Sequence, residues 1–412
     1  MLRWIVFIVV YLVMGFYALQ ALKTVTRFPY VYYAFMGLSL LVIGNFVYQF
    51  TIGEEAGRVL SRPKSYAFGF LLAMITFKII TIGFLFSEDL FRFLAASYQK
   101  FFGGSGEFSL PTRRRFLSLM AMGIAAIPFG ALLYGMYRGK YNFQVLKYEM
   151  EFDDLPEAFD GYQITQISDV HSGSFDNREK IEYAIDLINK QQSDAIFFTG
   201  DMVNNKTDEM KPWADLFSRL KAPDGIYSIL GNHDYGDYIP WDTPELKRQN
   251  LEELKQLQRD MGFDLLLNES RYLQKGSEQL ALIGVENWGR GGFKKAGDLD
   301  KATAGVRSED FKILLSHDPS HWEDVVIHHP YHFHLTLSGH THGMQFGIEI
   351  PGWVKWSPVK WRYKYWAGIY EELGQFINVN RGFGFLGYPG RVGIWPEITV
   401  ITLKRKSSVA AA

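Results

Sequence analysis

The sequence predicts an α-helical membrane bundle followed by an α/β domain of sheets flanked by helices. Three observations predict it. Four nearly continuous apolar and aromatic runs occupy the chain before residue 140. Beyond them, short β-type runs alternate with amphipathic helical patterns, the signature of sheets covered by helices. Five short motifs rich in Asp, Asn and His then follow in order, most of them just after a β-type run. That is where an α/β fold places its site, at the carboxyl ends of strands.

The apolar runs are Trp4 to Leu22, Val31 to Phe50, Tyr66 to Phe86 and Phe116 to Tyr137. Each has about 20 residues, the length that crosses about 30 Å of hydrocarbon. Core helices of soluble proteins rarely run so far without a charged face. A cleavable signal peptide would account for the first run alone, but the next spans follow too closely for simple secretion. Between the third and fourth runs, Ser87-Glu88-Asp89-Leu90 reads as the capped start of a separate surface helix. It carries Phe91, Leu94 and Tyr98 on one face and is broken by Gly103-Gly104-Ser105-Gly106.

Arg113-Arg114-Arg115 before the fourth run favour the cytoplasmic side and resemble a twin-arginine export signal. Both readings put everything after Tyr137 across the membrane from those arginines, while Arg58, Arg62 and Lys64 argue the other way. The expectation is an integral protein of the inner (cytoplasmic) membrane with its second domain on the extracytoplasmic side. The domains expected are residues 1–138 (membrane region), 139–405 (α/β domain) and 406–412 (flexible tail).

In the second domain the β-type runs are Gln163 to Ile167, Ala195 to Thr199, Gly225 to Leu230, Leu280 to Val285, Lys312 to Leu315 and His334 to Leu337. Helical patterns lie at Arg178 to Lys190, Met210 to Leu220 and Pro244 to Met261. With 43 basic and 44 acidic residues the chain has no global bias toward nucleic acid, so none is expected as a partner. It has no cysteine, which excludes disulfides and thiolate metal sites. Any metal site must use Asp, Asn and His, a donor set that suits Mn, Fe, Zn or Co.

The motifs are Asp169-Val170-His171, Gly200-Asp201, Gly231-Asn232-His233-Asp234, Ser316-His317-Asp318 and Gly339-His340-Thr341-His342. Asp169 and His171 are two apart, so on an extended segment they point to one side and can bind one ion. A carboxylate at Asp201 can bridge two cations, and Asn232 offers a neutral oxygen. His340 and His342 repeat the two-residue spacing. Singly, each motif is compatible with an ordinary turn; their joint order at strand ends points to metal chemistry.

From about Tyr148 to Leu403 the chain resembles the calcineurin-like metallophosphoesterase family, above all its membrane-associated bacterial branch, which contains a twin-arginine-exported cell-wall phosphodiesterase. Gln163 to His171, Leu337 to Gly343 and Trp395-Pro396-Glu397-Ile398 carry the likeness. The resemblance implies a four-layer sandwich, two mixed β-sheets between helical layers. It also implies two divalent metal ions, one held by Asp169, His171, Asp201 and His342, the other by Asp201, Asn232, His317 and His340. His233, oriented by Asp234, would meet the substrate phosphate. A metal-bridging hydroxide would then attack phosphorus in line. Asn204 and His334 stand where many members have Asp, which touches only the surroundings of the ligands.

His321, His328, His329, His332 and His334 cluster before the last motif and are expected to have ordinary structural partners. From Trp353 to Tyr370, aromatics alternate with Lys355, Lys360, Arg362 and Lys364. That pattern favours a membrane interface, with core packing or single-stranded nucleic acid as alternatives. Trp356 and Trp361 are thus candidate lipid-substrate contacts, and Arg391 a candidate phosphate contact. Arg381 to Gly387 reads as a turn-rich loop rather than a phosphate cradle.

The function expected is a membrane-anchored phosphohydrolase acting on a diester, pyrophosphate or monoester of a lipid or envelope precursor. Membrane lipids and the phosphoester are its expected partners, with no obligate protein partner. One rival is a cytoplasmic-facing UDP-diacylglucosamine pyrophosphatase of lipid A biosynthesis. Another is a membrane sensor or transporter with a regulatory metal-binding domain, against which the spans offer little ionisable besides Lys78.

Overall fold

The computed structural model describes residues 2–52, 60–102, 111–350 and 352–406. The chain divides into two compact units, which meet in sequence between Tyr137 and Arg138. The first holds four helices: α1 (Leu2–Val25), α2 (Pro29–Ile52), α3 (Arg62–Phe102) and α4 (Pro111–Tyr137). All four are long and apolar enough to cross a membrane.

The separate surface helix expected at Ser87 is corrected: α3 runs unbroken for 41 residues. The Ser87 hydroxyl donates to the Gly83 carbonyl one turn back instead of capping a new helix. Asp89 accepts from Tyr17 of α1 at 2.6 Å and Arg114 of α4 at 3.0 Å, tying three helices at one level. The glycine break at Gly103 to Gly106 and the tail from 407 lie outside the described residues. Lys78 is fully buried, and its ammonium donates to Ser39 of α2 at 2.6 Å and to the Tyr11 carbonyl of α1 at 3.3 Å.

The second unit contains β1 (Gln144–Phe152), β2 (Gln163–Ile167), α5 (Arg178–Asn189), β3 (Ala195–Phe198), α6 (Ala214–Phe217), β4 (Ile226–Ser228), α7 (Pro244–Asp260) and β5 (Phe263–Leu265). It continues with β6 (Glu269–Lys275), β7 (Glu278–Gly284), α8 (Leu299–Ala302), β8 (Lys312–Leu315), α9 (Pro319–Asp324) and β9 (Leu335–Ser338). The last strands are β10 (Ile348–Ile350), β11 (Val354–Trp356), β12 (Gly368–Glu372), β13 (Gln375–Val379) and β14 (Glu397–Arg405).

Two six-stranded sheets result, ordered β1-β14-β2-β3-β4-β5 and β12-β13-β9-β8-β7-β6, with β10-β11 as a separate hairpin. Both sheets are mixed. The runs β2-β3-β4-β5 and β13-β9-β8-β7 are parallel, whereas β14 meets β2 and β6 meets β7 antiparallel.

Strand alternation builds the layers. On β3, Phe197 faces the inter-sheet core with Leu282 of β7 and Leu315 of β8. Its neighbours Ile196 and Phe198 face the outer core with Ile181 and Ile185 of α5 and Leu254 of α7. On the second sheet Ala281, Ile283 and Leu314 pack outward against Leu299 of α8 and Trp322 of α9. The expected helix–sheet–sheet–helix sandwich follows.

Local signals set the long helices. The Asn177 side chain caps α5 at Lys180, and Thr243 caps α7 with Pro244 in its first turn. Each such cap contributes about 1 kcal/mol. The helix expected over Met210 to Leu220 is shorter and less regular than expected: one 3-10 turn (Lys211–Trp213) runs into the four residues of α6. Past its end, Asn189 donates to the Arg219 carbonyl at 2.8 Å and accepts from the Lys221 amide at 2.9 Å.

Candidate metal centre

Each motif leaves the carboxyl end of a parallel strand. Asp169 and His171 follow β2, Asp201 follows β3, Asn232 and His233 follow β4, His317 follows β8, and His340 and His342 follow β9. A buried polar bridge holds the two sheets at this edge: Gln166 donates to the Ser338 carbonyl at 2.9 Å and accepts from Asn378 at 2.7 Å.

The backbone here is unusual. Asp169 (φ 52°), His171 (46°), Asp201 (59°), His340 (71°) and His342 (50°) are all left-handed. They make up five of the ten non-glycine residues with positive φ among those described. Such strain costs about 1–3 kcal/mol per residue and persists only where surroundings over-determine it, typically at functional sites. Here the Asp169 amide donates to the Gly200 carbonyl at 2.9 Å and the His171 amide to the Asp201 carbonyl at 3.1 Å. The His340 amide donates to the Asp169 carboxylate at 2.9 Å, and the His233 amide to Asp201 at 2.8 Å. Glycine permits the approach: a Cβ on Gly339 would overlap Ser168 Oγ and the Asp169 carboxylate.

The side chains converge. Asp201 Oδ2 lies 3.1 Å from His317 Nε2 and 3.6 Å from His171 Nε2. Asp169 Oδ1 lies 3.2 Å from His342 Nε2. Asn232 Oδ1 lies 2.8 Å from His340 Nδ1 and 3.2 Å from His317 Nε2. Three overlapping triads form: Asp169-His171-His342, His171-Asp201-His233 and Asp201-His317-His340. Within each, the potential ligand atoms lie within 4.8 Å of one another.

The donor set fits divalent cations on two counts. His171 Nε2 and His342 Nε2 are buried and, among the described residues, lack a hydrogen-bond partner although they face carboxylates. Buried nitrogens without partners are costly unless something satisfies them. Moreover, the rings are held from behind as metal-ligating imidazoles are. His171 Nδ1 donates to Asn204 Oδ1 at 3.1 Å, and His317 Nδ1 to the Thr199 carbonyl at 2.7 Å. Each leaves its Nε2 aimed into the cluster.

Charge agrees. Burial raises the Asp169 pKa, yet His342 outweighs it and holds the carboxyl below its ordinary range. Burial likewise opposes ionisation of Asp201, and His317 and His233 override it. Burial pushes His171 well below the usual histidine value, and lowers His233 and His340. Burial also opposes charge on His317, but Asp201 raises it to about 10. Ionised carboxylates beside the neutral imidazoles of His171, His233 and His340 are the protonation state that cation binding requires; His317 would have to give up its proton to serve as a ligand.

Several sequence expectations are corrected. The Asp234 carboxylate is hydrogen-bonded to backbone amides and not to the His233 ring. It is fully buried and accepts from the backbone amides of Asp201 (2.9 Å), Met202 (2.8 Å), Val203 (3.3 Å) and Gly231 (2.8 Å). Burial, then the charge of Asp201, pushes its pKa up to about 7. His233 is oriented instead by the Asn204 carbonyl, which accepts from Nδ1 at 2.9 Å, and by ring contacts with His171 and Tyr238.

Arg391 is not a phosphate contact. It is fully buried, donates to the carbonyls of Gly384, Arg381 and Gly382, and places Nη2 3.1 Å from His342 Nδ1. It braces a candidate ligand. The amides of Phe383 and Gly384 are spent on the Ser168 and Asp169 carbonyls, so the Gly-rich stretch is a loop packed on the site, as expected.

The aromatic stretch divides. Tyr363, Tyr365 and Trp366 are core residues, whereas Trp361 is 75% and Trp353 82% exposed. Trp356 is half-buried, against Trp361. Three of the outlying histidines have ordinary hydrogen-bond partners: His334 contacts Asp154 at 2.7 Å, His321 contacts Ser316 Oγ at 2.9 Å, and His329 contacts Asp300 at 3.2 Å.

Sequence reasoning missed Tyr363, whose hydroxyl lies 2.8 Å from His340 Nε2, and gave no role to Asp318, 3.3 Å from the same nitrogen. Asp318 was visible beside His317; Tyr363 comes from a stretch without a motif.

This fold and donor cluster define a metal-dependent phosphoesterase, and the chain belongs to the calcineurin-like metallophosphoesterase family. The family model for calcineurin-like phosphoesterase matches residues 162–344. A second, for the probable transmembrane domain of a calcineurin-like phosphoesterase, matches residues 2–140. The uncharacterized metallophosphoesterase YkuE of Bacillus subtilis (strain 168) is 31% identical over 303 residues, 71% of this chain and 98% of that protein. An uncharacterized metallophosphoesterase of Helicobacter pylori (strain J99) is 25% identical over 94% of this chain and 92% of its own. The Danio rerio transmembrane protein with metallophosphoesterase domain is 26% identical over 71% of this chain, a match spanning 63% of that relative. The protein is thus a membrane-linked phosphoesterase hydrolase of a family that uses divalent metals.

Proposed function

We propose that the domain holds two divalent cations (Mn, Fe, Zn or Co) and hydrolyses a phosphoester, pyrophosphate or diester borne by a membrane lipid or envelope precursor. The observation that carries this is the place of Asp201, whose carboxylate belongs to two ligand triads at once. Asp169, His171, Asp201 and His342 would hold one cation; Asp201, Asn232, His317 and His340 the other. When bound, such a pair neutralises phosphate oxygens and activates water for in-line displacement at phosphorus.

The remaining residues position and move protons. With its Nδ1–H on the Asn204 carbonyl, His233 exchanges its second proton at Nε2. That atom supplies the donor for a phosphate oxygen or leaving group. Tyr238 accepts from the Asn232 amide at 2.7 Å, which turns Asn232 Oδ1 toward His340 and His317. Tyr363 and Asp318 hold the far edge of His340.

The lipid-borne character of the substrate draws support from the four apolar helices and the exposed Trp353 and Trp361. The lipid A pyrophosphatase alternative draws none from the comparisons. Arg113 to Arg115 in the first turns of α4 support an extracytoplasmic domain, which a reporter fused at the carboxyl terminus tests. The activity itself is tested with purified full-length protein in detergent, Mn added, across phosphodiesters, monoesters, pyrophosphates and phospholipids. Cleavage of at least one class is expected; metal-loaded protein inert on the whole panel overturns the reading.

A further inference from the structure

The β10–β11 hairpin is built inside out. Ile348 pairs with Trp356 and Ile350 with Val354, so these four side chains share one face, while Glu349 and Lys355 share the other. A half-buried hairpin ordinarily turns its apolar face to the core. Here the polar face is the tethered one. Glu349 pairs with the buried Arg381 at 3.0 Å, and Lys355 donates to the Ala367 carbonyl. The apolar face looks outward: Ile348 is 53% and Ile350 43% exposed. Trp353, 82% exposed, heads the turn, its amide on the Ile350 carbonyl. Trp361 extends the patch edge-on to Trp356, flanked by exposed Lys360 and Arg362.

This patch is fastened to the candidate metal loop. Ser357, directly after β11, donates to the Gly343 carbonyl at 2.7 Å, and Thr341 donates to the Trp366 carbonyl at 2.6 Å. Tyr363, two residues past Trp361, reaches His340. These hydrogen bonds tie the hairpin to the loop of the last histidine pair.

We propose that the outward face of the hairpin, with Trp353 and Trp361, docks into the headgroup layer of a bilayer containing anionic lipid. There it presents the metal loop to phosphate carried by lipid; this second half rests on the phosphohydrolase reading above. The bilayer is the occupant that the chemistry fits. Indole rings with short aliphatic neighbours suit the interfacial layer, where an aromatic body stays partly wet. Flanking cations complement anionic headgroups. The docking unit also begins in sequence directly after an apolar helix that ends at Tyr137.

The absence of native cysteine makes a direct test possible. Full-length protein carrying Trp353→Cys, or Tyr183→Cys on the exposed face of α5 as control, is nitroxide-labelled. Each is reconstituted into phosphatidylcholine vesicles with a minor fraction of phosphatidylglycerol. The label at 353 is expected to be shielded from a water-soluble nickel chelate and accessible to dissolved oxygen, the label at 183 the reverse. Equal chelate access at both positions overturns the docking. So does dipolar broadening at 353 that disappears on dilution with unlabelled protein, which assigns the face to a second copy.

A second arm uses Ile350→Ser with Trp353→Ser. Hydrolysis of a soluble chromogenic phosphodiester should change by less than about twofold, while that of a phosphoester lipid in the same vesicles falls on the order of tenfold. Equal loss on both substrates overturns the presentation role. Wild-type protein inactive on both and on the whole substrate panel would instead refute the phosphohydrolase reading and leave the depth measurement to decide the docking.

Discussion

Asp234 accepts a hydrogen bond from the backbone amide of Asp201 at 2.9 Å, while the ring of its own neighbour His233 bonds the Asn204 carbonyl instead. Its carboxylate gathers four amides from two strand-end loops, and so fixes where the shared ligand Asp201 sits. Asp234→Asn turns N–H groups toward those amides, a loss of about 1–3 kcal/mol for a buried group left unpaired. The expected result is a lower thermal midpoint with an unshifted pH–rate profile once metal is loaded. A displaced limb in that profile would mean that Asp234 acts through His233 after all.

His233→Ala should keep its metal and lose rate. The ring sits beside the cluster, with Nδ1 committed to Asn204, and a positioned acid or base of this kind contributes about 10²–10⁴-fold. Metal analysis alongside turnover decides it: a rate near wild type at full metal content removes His233 from the chemistry.

Arg391→Lys separates bracing from substrate binding. The fork that reaches five carbonyls and the His342 ring is lost while the charge stays. Losses behind a ligand typically weaken metal affinity about 10–100-fold. Weaker metal binding, with KM little changed at saturating metal, is expected. A raised KM with unaltered metal affinity would restore Arg391 as a phosphate contact.

His321 predicts a pH effect on stability. Burial lowers its pKa to about 4, against the charges of Asp318 and Asp324, and it packs on Trp288. The unfolded chain binds this proton below about 6.5 while the folded chain resists it, so stability is lost as pH falls from about 6.5 to about 4. At pH 5 the loss is about 2 kcal/mol. Thermal unfolding in detergent at pH 7 and pH 5 should show a drop that His321→Gln reduces; an equal drop in both proteins contradicts the assignment.

The ligand set was legible because a metal centre at strand ends writes itself locally. An apolar run such as Lys312 to Leu315 predicts the strand, and His317 stands two residues beyond it. Side-chain direction at a turn was not legible. Asp234 follows His233 in sequence, yet the left-handed Asp201 loop takes its carboxylate.

Long-range partners were hidden for a related reason. Arg391 meets His342 across 49 residues, and β14 inserts between β1 and β2 from the far end of the domain. The Met210 to Leu220 pattern is helical from Lys211 to Phe217, and Asn189, from another element, holds the chain just past its end. The Trp353 to Tyr370 stretch mixed core and surface, since aromatic residues serve both and only the paired register of β10 and β11 tells the faces apart.

Bound metal per chain, measured by elemental analysis on wild type and Asp201→Ala after loading with Mn and removal of excess, tests the central claim most directly. A shared carboxylate predicts about two metals per wild-type chain and fewer than about one in the variant, since both positions lose a ligand. A wild-type value of about one, or a variant that keeps the full wild-type complement, would contradict a dinuclear centre built on Asp201.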